Sequence, residues 1–151
     1  MITYNGIVLR ERPCGEQDKF IDILTKERGA TELFVRGARK LRTSAGSSSQ
    51  LFAYSRFCAE ERKGRMYLNS AEPIHIFYGL RSSLTRIWLA SYFADVSGFC
   101  SPENSDCPNA LRLLLNCLHY LENGERPEAQ LKSIFELRLM SLSGFMPDIA
   151  M

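Results

Sequence analysis

The sequence predicts an all-β segment followed by an all-α one: a small closed five-stranded barrel and then a small helical bundle. Three observations predict it. Apolar and polar residues alternate at period two in short runs before Pro73, glycines and prolines punctuate those runs, and beyond Pro73 the apolar spacing becomes helical. With 151 residues and 45% hydrophobic content, the chain is long enough for one well-buried domain or two small ones.

The first strand is expected over Thr3 to Glu11, where Ile7, Val8 and Leu9 form a β-branched apolar centre and Pro13 closes the run. The second spans Lys19 to Thr25 and ends at the turn signal Glu27-Arg28-Gly29. In the third, Thr31 to Arg36, Leu33 and Val35 share one face, and Glu32, Phe34 and Arg36 share the other. Leu51 to Glu61 alternates in the same way, and Lys63-Gly64 is a hairpin turn with glycine free to take positive φ. Arg65 to Ala71 returns as the fifth strand. Five short strands with one long connection, between the third and fourth, suggest barrel closure.

Past Pro73, Leu80, Leu84, Ile87, Trp88 and Ser91 fall on one helical stripe. Ser101 to Asp106 is a breaker-rich loop. Asn109 to Leu121 is a second helix with Leu111, Leu114, Leu115, Leu118 and Leu121 inward, ended by Gly124 in the manner of a left-handed cap. Leu131, Ile134, Phe135, Leu137, Leu139, Met140 and Leu142 surround the third helix on nearly all sides, so it is expected to be the most buried. Gly144 and Pro147 stop it. The chain closes on Phe145-Met146-Pro147-Asp148-Ile149-Ala150-Met151 without a polar tail, and the expectation is a piece of a longer protein.

The net charge of +2 hides an asymmetry. Up to Glu72 there are 13 Lys and Arg against 9 Asp and Glu; from Pro73 onward there are 6 against 8. Four cations fall within seven residues, Arg36-Gly37-Ala38-Arg39-Lys40-Leu41-Arg42. Such a cluster repels itself unless a polyanion neutralises it. The serine-rich stretch Thr43 to Ser49 has no apolar anchor and is expected to stay mobile until something negative orders it. Aromatic residues interleave with the cations: Phe52, Tyr54, Arg56 and Phe57, then Arg62, Lys63, Arg65 and Tyr67. Cations tracking phosphates, with rings for bases to stack on, are what single-strand binding requires. The competing reading places most of these rings in the barrel core.

Catalytic and metal chemistry is thin. The cysteines Cys14, Cys58, Cys100, Cys107 and Cys117 form no C-x-x-C pair and fit a reducing cytosol better than a zinc site. Of the histidines, His75 sits in a linker and His119 flanks a helix stripe. Glu60-Glu61 reads as a solvated strand end, and no phosphate-binding glycine motif is present. Nothing argues for an enzyme. No basic leader and no membrane-length apolar run is present, and a cytoplasmic protein is expected.

Several stretches together resemble the bacterial DNA repair and recombination mediator family RecO. They are Gly6-Ile7-Val8-Leu9-Arg10, Gly15-Glu16-Gln17-Asp18-Lys19, Leu24 to Gly29, Arg36-Gly37-Ala38-Arg39-Lys40 and Ala71-Glu72. Leu89 to Asp95, Phe135 to Met140 and Gly144-Phe145-Met146-Pro147 follow in order. The resemblance implies an OB-fold barrel over residues 1–73 and a helical domain over 74–151 that is incomplete at its C-terminus. It implies no cofactor here, with zinc confined to a four-cysteine module beyond the Gly-Phe-x-Pro point. It implies binding of single- and double-stranded DNA, annealing of complementary strands, and engagement of the acidic C-terminal tail of single-strand-binding protein. It further implies action with RecR to help RecA displace that protein, at the nucleoid.

By position, Arg36, Arg39, Lys40 and Arg42 match the family's basic strand and loop and are assigned to DNA phosphates. Lys63, Arg65 and Tyr67 join them on charge and aromaticity alone. For the acidic tail, Arg112, Lys132 and Arg138 are the candidates; Lys132 is preferred, with Arg138 expected to pair with an internal carboxylate instead. Glu16 and Asp18 are read as scaffold, because acids repel phosphate. Two rival readings stand beside this one: an RNA-binding OB module, and an adaptor acting through the helical half.

Overall fold

The computed structural model describes residues 1–37, 44–103 and 108–142. Five strands, β1 (Ile2–Cys14), β2 (Asp18–Thr25), β3 (Gly29–Val35), β4 (Tyr54–Arg62) and β5 (Arg65–His75), close a barrel in the order β1-β2-β3-β5-β4. All neighbours are antiparallel except β3 and β5, which close the barrel in parallel. This is the OB-type architecture expected from the sequence, with helices following it.

Alternation decides what each strand buries. Tyr4 and Val8 of β1 point inward with Ile21, Ile23, Leu33, Val35, Phe57, Ala59 and Met66 to fill the barrel. Ile7 and Leu9 point the other way and join Leu24 and Phe52 in a second core shared with the helices. Successive residues of Ile7-Val8-Leu9 are therefore all apolar because both faces of this strand are covered. Gly6 permits close approach of β2: a methyl group there would lie 2.9 Å from the Leu24 carbonyl oxygen. At the β4–β5 turn, Lys63 and Gly64 both hold positive φ, 52° and 78°, which suits the twist of a two-residue hairpin.

The serine-rich connection is not free. Ser44–Ser48 form a short helix, α1, Ser48 and Ser49 are buried, and Ser55 Oγ donates to the Ser48 carbonyl at 2.8 Å. In the described part of this stretch, partners within the chain thus supply the ordering that a polyanion was expected to supply. Arg39, Lys40 and Arg42 lie outside the described residues.

A 3-10 turn at Tyr78–Ser82 leads to α2 (Leu84–Phe99), α3 (Pro108–Asn123) and α4 (Glu128–Leu142). Ser83 caps α2 by accepting from the Arg86 N–H at 3.3 Å. The expected stripe on α2 is out of phase. Leu84 is 86% and Trp88 62% exposed, whereas Leu89, Ala90, Phe93, Ala94 and Ser97 are buried. Small residues let this helix come close to β1, where Leu9 lies 3.0 Å from the position of a Cβ on Gly98. Choosing the face by bulk picks the wrong side.

The most buried helix is α3, not the last one. Leu111, Leu113, Leu114, Cys117, Leu118 and Leu121 are all buried on it. On α4 only Leu131, Phe135 and Leu139 are buried, and Leu137, Met140 and Leu142 stand exposed. The reason is position: α3 packs against α2, α4 and the 3-10 turn, whereas the described partners of α4 lie along one side. Gly124 ends α3 at φ 66°, as its sequence position suggests. The last strand continues through Pro73 to His75, and the helix-side core takes Ile7, Leu9, Leu24 and Phe52 from the barrel.

Candidate nucleic-acid interface

On the outer surface of β2, β3 and β5, three rings form a row. Phe20 pairs in register with Phe34, and Phe34 with Tyr67. Their neighbours Ile21, Leu33, Val35 and Met66 point into the barrel, so alternation sends the rings outward. Phe20 and Phe34 meet edge to face at 5.1 Å, and Phe34 and Tyr67 at 5.5 Å. Each ring is half-buried by the others, leaving part of the row open to solvent.

Cations surround the row. The Arg65 guanidinium lies over Phe20 at 5.3 Å, Arg12 over the same ring at 5.6 Å, and Arg62 over Tyr67 at 5.7 Å. Arg12 is bound by Glu32 and by Asp22, the latter at 3.0 Å, and its pKa is raised, chiefly through the Glu32 hydrogen bond. Arg62 is held by Glu60 at 2.9 Å, which raises the arginine's pKa and lowers the acid's. Arg36, Lys63 and Arg65 are exposed and have no ion pair among the described residues. Arg36 lies two residues beyond Phe34, just past the end of β3, and Arg65 two before Tyr67 along β5. Because these strands run parallel, the two arginines flank the ring row from opposite sides. The geometry suits a strand of phosphates with unpaired bases set against the rings.

The other candidate rings are not available: Phe52 and Phe57 are fully buried core residues, and Tyr54 packs against the shared core. Glu16 is exposed at the β1–β2 turn, and the neighbouring Asp18 accepts from the Gly37 N–H at 2.7 Å.

A second feature lies between α3 and α4. Two adjoining hollows of about 290 and 250 Å³ share Leu113, Asn116 and Arg138. Arg112 lines one, Arg126 the other, and Leu131 and Ile134 give an apolar wall. Arg126 also lies over the Tyr120 ring at 4.7 Å. Arg112 and Arg138 make no ion pair among the described residues, so the expected internal carboxylate for Arg138 is absent there. Lys132 is the cation that is paired, with Glu136 at 3.0 Å, and it sits over Tyr92 instead of in the groove.

Nucleophilic chemistry has no assembled site among the described residues. His75 binds Glu122 at 2.8 Å, and Asn123 approaches His119 at 3.3 Å. Burial pushes the Cys117 thiol up to about 11, so it stays protonated at neutral pH. No group of three or more His, Cys, Asp or Glu among the described residues converges on a metal position. No helix among them is long and apolar enough to cross a membrane.

Residues 1–77 match the family model "Recombination protein O N terminal", and residues 81–150 match "Recombination protein O C terminal". The chain belongs to the RecO family. It is 33% identical to a DNA repair protein RecO of Acetivibrio thermocellus over 97% of this chain and 58% of that protein. It is 34% identical to one of Symbiobacterium thermophilum over 99% of this chain and 60% of that protein. The protein of the same name from Dehalococcoides mccartyi strain CBDB1 is 31% identical over 95% of this chain and 56% of its own length. This RecO-family chain thus spans about three-fifths of the curated relatives it matches.

Sequence reading of this RecO-family chain missed Phe20, Phe34 and Arg126. The signal for the first two was present: Phe34 falls on the face opposite Leu33 and Val35, and Phe20 occupies the same phase of β2 relative to Ile21. Arg126 carries no local signal, since only the packing of α3 on α4 brings it to the groove.

Proposed function

We propose that this chain supplies the DNA-binding and partner-docking surfaces of a recombination mediator acting in DNA repair. The observation that carries the proposal is the outward ring row Phe20–Phe34–Tyr67 flanked by Arg36, Lys63 and Arg65, which make no ion pair among the described residues. Cations hold phosphates irrespective of sequence, and ring faces take unpaired bases, so the surface favours single strands while still gripping a duplex backbone. Arg39, Lys40 and Arg42 extend the cationic set in sequence.

No bond is made or broken in this mechanism. Two complementary strands repel through their phosphates; a cationic surface that holds both lowers that repulsion and brings bases into register. The groove lined by Arg112, Arg126 and Arg138 offers charge for carboxylates beside an apolar wall, a pattern suited to an acidic peptide ending in apolar residues. Docking the tail of single-strand-binding protein there would bring the barrel to covered single strands, where RecR and RecA complete the exchange. Family membership of both halves supports this reading.

The test is annealing of two complementary labelled oligonucleotides at low salt. The chain accelerates it, and the variant Arg36→Ala/Lys63→Ala/Arg65→Ala loses most of the acceleration while keeping its circular-dichroism spectrum. Equal acceleration by both proteins removes the barrel surface from the mechanism. An RNA strand that outcompetes DNA of the same sequence shifts the reading to an RNA-binding module.

A further inference from the structure

Both ends of the connection between β3 and β4 are held by the β1–β2 hairpin. At the leaving end, Asp18 Oδ1 accepts from the Gly37 N–H at 2.7 Å, next to Arg36. At the returning end, Lys19 Nζ donates to the Ser49 carbonyl at 2.9 Å, and Glu11 Oε2 accepts from the Leu51 N–H at 3.1 Å. Glu11 and Lys19 are tied to each other at 2.6 Å, and the Lys19 side chain is only 14% exposed. Gly37 holds φ 66° with open space around its Cβ position, so packing does not fix it there. Among the described residues, Asp18 is the side chain that anchors its N–H.

We infer that Asp18 and Glu11 are positioning residues for nucleic-acid binding: they touch no phosphate; Asp18 fixes the backbone from which Arg36 projects, and Glu11 holds the returning end of the same connection at Leu51. The inference rests on the proposal that this surface meets nucleic acid. It has an unusual sign. A carboxylate beside a phosphate-binding surface opposes binding through space, so charge alone makes removal of Asp18 tighten the complex. Positioning makes removal weaken it, because Arg36 then samples many orientations and its ordering falls on the binding step. Asparagine separates the two effects, since it discards the charge and keeps an acceptor oxygen for the Gly37 N–H.

The experiment is fluorescence anisotropy of a labelled oligothymidine of about 16 nucleotides, the upper range covered by one such barrel. The proteins are the full chain and its variants Asp18→Ala, Asp18→Asn, Glu11→Ala, Glu11→Gln and Arg36→Ala, each checked by thermal melting. Asp18→Ala and Glu11→Ala are expected to bind at least about threefold more weakly, the scale of one lost anchoring hydrogen bond. Asp18→Asn and Glu11→Gln are expected to bind as tightly as the unaltered chain, or more tightly. Asp18→Ala at unaltered or improved affinity overturns the inference, as does Asp18→Asn falling as far as Asp18→Ala. Failure of both alanine variants to fold also overturns it, since the contacts would then serve the fold itself. Arg36→Ala distinguishes the levels: unchanged affinity there sinks the reading of the surface, whereas weakened binding with an unaffected Asp18→Ala sinks the clamp alone.

Discussion

Replacing Phe34 by leucine removes the central ring of the row while keeping apolar volume between β2 and β5. Phe34 meets Phe20 at 5.1 Å and Tyr67 at 5.5 Å, so the change also removes two edge-to-face pairs. Each pair contributes about 0.5–1.5 kcal/mol beyond area burial, which sets a stability loss of about 1–3 kcal/mol. A stacked base is worth about 1–3 kcal/mol; at the lower end, suited to a half-buried ring, single-strand affinity falls about fivefold. Duplex bases are already stacked on one another, and duplex affinity should change less than about twofold, since phosphate contacts dominate it. Anisotropy titrations with oligothymidine and with a hairpin duplex, run well below the melting temperature of the variant, measure both. Equal losses on the two ligands refute the stacking argument, and so does unchanged single-strand affinity.

The groove between α3 and α4 makes a similar distinction among cations. Arg112→Ala and Arg138→Ala are each expected to weaken binding of an acidic, apolar-ended peptide several-fold by calorimetry, whereas Lys132→Ala, already engaged by Glu136, changes it little. Glu136 gives a pH signature. Hydrogen bonds first from Lys132 and then from Tyr92 hold its carboxyl below the usual range, so its contribution to stability is present above that range and is lost as pH falls toward the lower folded value. Melting temperatures of Glu136→Gln from about pH 5 to pH 3 should fall less steeply than those of the unaltered chain; parallel curves would count against the assignment.

What was legible in the sequence is what depends on local periodicity. Alternation placed Leu33 and Val35 inside and Phe34 outside, and the Lys63-Gly64 turn was readable because few residues tolerate its dihedrals. The helices were legible as helices, and α3 in its phase as well, but α2 was not. Leu89, Ala90, Phe93, Ala94 and Ser97 form the buried face of α2, the small ones allowing close approach to β1, while Leu84 and Trp88 remain outside. Composition likewise overstated the burial of α4, since an apolar residue is buried only where a neighbouring element covers it. At the site, the cations could be read as charges, but which of them are neutralised could not. Glu32 reaches Arg12 across two strands and Arg138 faces the groove, which only the assembled register decides; the Lys132–Glu136 pair, at i,i+4 on one helix, is the exception.

Single-stranded DNA affinity measured across a salt series tests the central electrostatic argument most directly. If Arg36, Arg39, Lys40, Arg42, Lys63 and Arg65 each neutralise one phosphate, log affinity falls against log salt with a slope of about −4, and Arg36→Ala/Lys63→Ala/Arg65→Ala reduces it to about −2. A fourfold rise in salt then weakens the unaltered chain about 250-fold and the variant about 16-fold. A shallow slope for the unaltered chain, or the same slope for both proteins, would contradict a phosphate-binding role for this face of the barrel.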